Sequence, residues 1–269
     1  MIRAAVAGIG GRMGSRVAQL IRETDGIELV AGFEHPDHPK IGKDISELVG
    51  GAPSGQTVAG NIQPVLDKVD VVIDFTNAAT SLAHMQAAAK SKKAMVIGST
   101  GFSAEQMHAA RAFAQEFPCV LAPNMSVGVN VLFKVVADVA QLLGDGFDVE
   151  IVESHHRFKK DAPSGTALKL AQVIAESLGR DLNEVGVYAR HGLIGERKGK
   201  EIGIQTLRGG DIVGEHTIMF ASLGERIELT HRAHSRDNFA RGAIHAAQWI
   251  VDQPPGLYDM QNVLGIKKT

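Results

Sequence analysis

Cysteine is nearly absent: Cys119 is the one thiol in 269 residues. A single cysteine excludes an internal disulfide and makes a reducing compartment the natural setting. It falls in the apolar run CVLA, where a buried, inert thiol is expected rather than a nucleophile. An excess of charge is missing too. With 28 basic and 30 acidic residues, the chain has no global field to gather nucleic acid or an anionic membrane. No apolar run approaches the roughly 20 residues that cross a bilayer. The opening MIRAAVAGIG has neither the charged head and cleavage site of a secretory signal nor an Arg/Ser-rich transit composition. A soluble, cytoplasmic protein is expected.

What is present is ordinary for a globular chain: 44% apolar and 22% charged residues, enough length for one large domain or two modest ones. Ile2 to Ala7, Ile27 to Phe33, Val69 to Phe75, Met95 to Gly98 and CVLA read as strands. Helical patterns separate them: Met13, Val17, Leu20 and Ile21 on one face, then Thr80 to Lys90. A further helix is opened by the capping-box pair Ser103 and Gln106 and closed by Pro118. Such alternation predicts a parallel, doubly wound α/β sheet. After Asn124 the pattern changes. A helical stripe runs from Asn130 to Leu143. Period-two segments follow at Asp148 to Glu153, Gly203 to Leu207, Val213 to Ala221 and Arg226 to Ala233, joined by turns such as RGGD and LGER. These predict an inserted α+β domain with a mostly antiparallel sheet, one face covered. Asn238 to Val251 is helical again and is expected to return to the first domain. The boundaries are 1–126 with 236–269 for one domain and 127–235 for the other, with NMSVGVN (Asn124 to Asn130) as the junction.

GIGGRMG lies between the first strand and its helix. Gly8, Gly10, Gly11 and Gly14 let a pyrophosphate approach the backbone N–H groups and the positive helix end. The spacing departs from G-x-G-x-x-G, because Met13 stands where the third glycine would fall. Glu34, after the second strand, is placed to bond adenosine ribose hydroxyls. Together these point to a dinucleotide.

VESHHRFKKDAPSGTALKLA (Val152 to Ala171) gathers cations and two histidines in a chain of net charge -2. Adjacent strand residues point to opposite faces, which argues against a metal held by Glu153, His155, His156 and Asp161; no metal is expected. Thr166 and Ala167 begin a helix whose unpaired N–H groups favour a carboxylate or phosphate. Lys159 or Lys160 adds a full charge, and His155 or His156 can give a proton near neutrality. The segment reads as an anion cradle beside a proton donor. His84, His108 and His245 fall within helical patterns and read as satisfied core or interface histidines.

GIGGRMG, VIGSTGF (Val96 to Phe102), APNMSVGVN (Ala122 to Asn130), EIVESHHRFKKDAPSGTA (Glu150 to Ala167) and RGGDIVGEHT (Arg208 to Thr217) together resemble the 4-hydroxy-tetrahydrodipicolinate reductases, also called dihydrodipicolinate reductases, of the diaminopimelate route to lysine. The resemblance spans nearly the whole chain. It implies a Rossmann domain and a substrate domain whose sheets assemble a homotetramer. It implies His155 as proton donor, Lys159 as second donor and substrate contact, and His156 as a substrate-binding residue, with Gly165 and Thr166 holding a substrate carboxylate. The cofactor, NADH or NADPH, would touch Gly8, Ile9, Gly10, Gly11, Arg12, Met13, Glu34, Gly98, Ser99, Thr100, Ala122, Pro123, Asn124 and Met125. His35 follows Glu34 where members able to use NADPH commonly carry Arg. NADH is therefore expected to serve well and NADPH comparably or less well. Two alternatives stay open: another two-domain amino-acid-pathway dehydrogenase, and a regulator that binds nicotinamide without turnover.

Overall fold

The structure is a computed structural model and describes residues 1–266. The chain divides into two compact units, Met1–Val127 with the chain from Asp237 onward, and Gly128–Arg236. It opens with β1 (Ile2–Ala7), α1 (Arg12–Ile21) and β2 (Ile27–Phe33), then two single-turn helices, α2 (Ser46–Val49) and α3 (Gln63–Leu66). β3 (Val71–Asp74), α4 (Ala78–Ser91), β4 (Ala94–Ile97), α5 (Ala104–Phe113) and β5 (Pro118–Leu121) follow. α6 (Val127–Leu143), β6 (Asp148–His155), α7 (Gly165–Ser177), α8 (Leu182–Val185), β7 (Gly186–Val187), β8 (Ile202–Arg208), β9 (Gly214–Ser222) and β10 (Glu225–Ala233) carry the chain through the second unit. α9 (Asp237–Ile250), β11 (Gly256–Tyr258) and α10 (Met260–Val263) bring it back to the first.

The first unit is a six-stranded sheet in the order β11-β5-β4-β3-β1-β2, parallel throughout. Its central strands, VVID and AMVI, are buried at every position, as strands covered on both faces must be. Successive side chains feed two separate cores. Ala4, Val6, Val71 and Ile73 pack with Val17, Leu20, Ala243 and Ala247. Ala5, Ala7, Val72, Met95 and Cys119 pack with Met85, Ala88 and Ala110. α9 lies against α1, β3, β4 and β5, and Gly242 makes the fit possible: a methyl there would stand 1.8 Å from the Met125 carbonyl oxygen. The Ser103/Gln106 capping box opens α5. Pro118 does not close that helix. α5 ends at Phe113, and Pro118 is instead the first residue of β5, where its missing N–H is tolerated at a strand start.

The second sheet runs β10-β9-β6-β8-β7. It is mixed and mostly antiparallel: β10–β9 and β9–β6 are antiparallel, while β6–β8 and β8–β7 are parallel. The parallel pair arises because α7 lies in sequence between β6 and β8, and a helical crossover returns the chain in the same direction. Val149 and Ile151, with Ile202, Ile204, Ile218 and Phe220, pack against Leu170, Ala171 and Ile174 of α7. One expectation needs correcting. Val127–Gly146 is long and apolar enough, by length and composition, to cross a bilayer. Its Leu132, Val136 and Ala140 face the second core, and Lys134 pairs with Asp138 on another face. His84 is a satisfied, half-buried residue as expected, whereas His108 and His245 are exposed and so are not core histidines; they stand out of phase with the buried stripes of α5 and α9.

A methyl at Gly14 would stand 2.0 Å from the Gly8 carbonyl oxygen, whereas one at Gly11 would meet the same oxygen at 3.2 Å. Gly14→Ala is expected to lower stability by about 1–3 kcal/mol through overpacking, and Gly11→Ala distinctly less. Urea denaturation of the two variants checks the order; equal midpoints would show that α1 does not press on the turn.

Candidate active site

In the first unit the glycine turn leaves β1 at the point where sheet order reverses between β2 and β3, the place where parallel α/β sheets open a crevice. Gly8 has φ +66°, in the left-handed region. Gly11 caps α1 without a side-chain bond, so the first-turn amides of α1 present backbone alone. Gly10 donates its N–H to Glu34 Oε1 at 2.7 Å, and a methyl on Gly10 would stand 2.7 Å from His38 Cε1. Gly14, not residue 13, does the work of the third glycine, letting helix and turn touch. The turn is thus a backbone-lined cradle that a Cβ would fill, with a carboxylate at its rim, and it fits a dinucleotide.

The other residues expected at the cofactor lie at the same carboxyl edge of the sheet: Gly98 to Thr100 after β4 and Ala122 to Met125 after β5. The side chains of Ile9, Ala122 and Met125 are buried in the core, which leaves only their main chain for any ligand. Ser99 is buried with its hydroxyl 2.8 Å from that of Ser81. Sequence reasoning missed the loop after β3. Asp74, fully buried, accepts from Thr76 N and Oγ1 and lies 2.7 Å from His84 Nδ1. Thr76 packs on the turn, its Cγ2 3.0 Å from where a Gly8 methyl would be. The available signal was the buried strand VDVVIDF, whose carboxyl end carries Asp74, and in this sheet β3 lies between β1 and β4.

In the second unit β6 alternates, and Val149, Ile151, Glu153 and His155 share its buried face. The strand ends at His155; His156 lies beyond it, half-buried, with Nδ1 buried and unpartnered. Glu153 is fully buried. Its Oε1 accepts from Ser164 N at 2.8 Å and Arg208 Nη2 at 2.9 Å. Its Oε2 accepts from Arg208 Nη1 at 2.8 Å and lies 2.6 Å from His155 Nδ1. Burial pushes this carboxyl up, but the bonds from Arg208, His155 and Ser164 outweigh it and hold the pKa at about 2. Burial lowers the pKa of His155; Glu153 works the other way, and Lys159 and Arg208 add to the lowering.

The loop from His156 returns to α7, whose N-cap is Ser164. Helix α7 therefore begins at Gly165, with Thr166 in its first turn, one residue earlier than the sequence implied. Ser164 Oγ accepts from Ala167 N and lies 3.1 Å from His216 Nε2. Lys159 is paired with Asp161 at 2.9 Å, and Lys160 is exposed. Arg208 and His216 were not singled out from sequence. Both stand in phase with the buried residues of their strands, Ile202 and Ile204, and Ile218 and Phe220. A polar side chain at an inward position requires a partner, and that was the signal. Cys119, in the first unit, is fully buried, and burial pushes its thiol up.

A parallel sheet with a dinucleotide turn, joined to a mixed sheet bearing a buried histidine–carboxylate pair, defines a two-unit oxidoreductase of the NAD(P)-binding class. The family profiles divide the chain at the first of the two unit boundaries, and the C-terminal one continues through α9, β11 and α10 of the first unit. Dihydrodipicolinate reductase, N-terminus, matches residues 2–125, and dihydrodipicolinate reductase, C-terminus, matches residues 128–264. The chain belongs to the dihydrodipicolinate reductase family. It is 70% identical over 267 residues to the 4-hydroxy-tetrahydrodipicolinate reductase of Syntrophobacter fumaroxidans, covering 99% of this chain and 100% of that one. It is 60% identical, with the same coverage, to that of Syntrophus aciditrophicus. Among solved structures it is similar to a dipicolinate-bound dihydrodipicolinate reductase from Paenisporosarcina sp. TG-14, with TM-score 0.74 and 27% identity over 96% of this chain and 97% of that one.

The buried imidazole of His216 gives a stability signature. Burial first, then the charge of His155, lowers its pKa from 6.5 to about 4. The unfolded chain therefore takes up a proton that the folded one refuses. Stability is complete above pH 6.5 and falls as pH drops from there towards 4, by up to about 3 kcal/mol from this group. His216→Gln is expected to flatten that slope, with His155 and His231, also lowered by burial, leaving a residue of it. Urea midpoints from pH 4 to 8 check this; an unchanged slope would assign it to other groups.

Proposed function

We propose that the chain reduces 4-hydroxy-tetrahydrodipicolinate to tetrahydrodipicolinate with NAD(P)H, in the diaminopimelate route to lysine, as a cytoplasmic homotetramer. The observation that carries the chemistry is His155, held through Nδ1 by the buried Glu153 close in sequence to the start of α7. Family membership supplies the substrate class, a cyclic dicarboxylate.

The turn Gly8, Ile9, Gly10, Gly11, Arg12 and Met13 would hold the pyrophosphate at the start of α1, and Glu34, exchanging its bond from Gly10 N, the adenosine ribose. Gly98 to Thr100 and Ala122 to Met125 would line the rest of the crevice. The substrate gives up its 4-hydroxyl as water, and the bound nicotinamide would supply a hydride to the conjugated ring that remains. His155 gives a proton from Nε2, the ring nitrogen not engaged by Glu153. Lys159 exchanges Asp161 for a substrate carboxylate and serves as second donor, and His156 is a further substrate contact. Gly165 and Thr166 set the positive end of α7 against the other carboxylate. Fixing both carboxylates orients the ring before proton transfer, a large share of the catalysis such a site can provide.

Mixing the chain with NADH and the fresh condensation product of pyruvate and aspartate semialdehyde tests this directly. Loss of the nicotinamide absorbance is expected; cofactor binding without that loss would instead mark a regulator. His155→Gln is expected to lower turnover about a hundredfold or more while cofactor affinity barely changes, and Lys159→Ala to raise KM for the substrate as well. Wild-type turnover in His155→Gln would remove that residue from the chemistry.

His35 is exposed and pairs only loosely, at 3.6 Å, with Asp37. A lone imidazole is a poorer anchor for a 2′-phosphate than the bidentate guanidinium of an arginine. NADH is therefore expected to equal or exceed NADPH in kcat/KM, and His35→Arg to raise the value for NADPH. A far higher value for NADPH in the unaltered chain would refute this role of position 35.

A further inference from the structure

We propose that Glu153 is a positioning residue for proton transfer: it fixes His155 with Nδ1–H inward, so that Nε2 is the only ring nitrogen offered to substrate. The proposal rests on His155 being the proton donor. Glu153 and His155 are two residues apart on one strand and so share a face, which brings Oε2 within 2.6 Å of Nδ1. An ionised carboxylate can only accept, so Nδ1 carries the hydrogen and the transferable proton belongs to Nε2. The carboxylate itself cannot turn. Arg208 grips both oxygens, Ser164 N and Thr206 Oγ1 bind Oε1, and Arg208 Nη2 is in turn tied to the Asp161 carbonyl.

On the far side of the ring, Gly214 of β9 keeps the approach to Nε2 clear, since a methyl there would stand 3.0 Å from it. The groups around the imidazole explain why a carboxylate is needed. Burial disfavours an imidazolium, and so do Lys159 from the loop and Arg208 from β8; His216 from β9, its own pKa held down to about 4, packs edge-on against the ring at 5.3 Å. Glu153 is the group that favours it. The same carboxylate also holds the amide of Ser164, the residue that caps α7, so donor and helix end are referred to one point.

The test compares wild type, E153Q, E153D and H155Q, each saturated with cofactor. In E153Q, an amide oxygen kept on Ser164 N turns the NH2 group towards Nδ1, which disfavours the charged ring. The expected result is a kcat lowered about tenfold or more, with the alkaline limb of its pH profile moved to lower pH and KM little changed. E153D keeps the charge for Arg208 but is one carbon too short to reach both Ser164 N and Nδ1, so a smaller shift in the same direction is expected. Ring-nitrogen NMR of the wild-type holoenzyme should show neutral His155 as the Nδ1–H tautomer, and E153Q should lose it. The tautomer measurement decides the matter even if E153Q does not fold. Wild-type His155 found as Nε2–H overturns the proposal, as does E153Q or E153D with unaltered kcat, pH limb and tautomer. H155Q separates the two failures: if it turns over normally the proton-donor role is wrong, whereas an inert H155Q beside an unaltered E153Q removes positioning alone.

Discussion

A carboxylate buried without partners costs several kcal/mol, and the second unit is arranged around one that is not. Glu153 receives five hydrogen-bonding groups drawn from three separate places: its own strand, the neighbouring strand β8, and the start of α7. Strip that carboxylate away and Arg208 is left with an unmatched charge, Ser164 with an unmatched amide and His155 with no preferred tautomer. The loop bearing Lys159 and Asp161 is drawn in as well, through the bond from Arg208 to the Asp161 carbonyl. What is read as a catalytic segment in the chain is therefore the visible edge of an inward-facing polar knot.

The layered sheet was legible because period and punctuation agree: buried strands with continuous apolar runs, capped helices and a glycine turn all point one way. The candidate site was half legible. Residues clustered in sequence, such as His155, His156, Lys159, Gly165 and Thr166, announce themselves by density of charge and by the coming helix. Arg208 and His216 lie 53 and 61 positions beyond His155 in the numbering, and only strand pairing brings them to it. Pairing partners are not written in local pattern, so their clue was a polar side chain in a buried phase. Pro118 misled for a related reason: the same fixed φ can end a helix or begin a strand, and only the neighbouring strand decides.

The two units handle polar groups by different means. On the parallel sheet, the glycine turn presents backbone and the start of a helix, and side chains are withdrawn; Ile9 and Met125 are buried, and the glycines have none to offer. On the mixed sheet, side chains with full charges are brought inward and neutralised in pairs. The first solution asks for small residues at fixed places, the second for matched residues on separate strands. A chain with little net charge can therefore carry both.

The first unit is not continuous in sequence. α9 closes one face of its sheet and β11 extends the sheet edge, yet both are made last. During synthesis from the N-terminus, Gly128–Arg236 leaves the ribosome as an unbroken stretch and can pack before the strands that preceded it have their full cover. Until Asp237 and beyond emerge, the apolar side of β3, β4 and β5 that α9 will occupy stays open to solvent and to chaperones. The half that greets the cofactor is thus begun first and finished last.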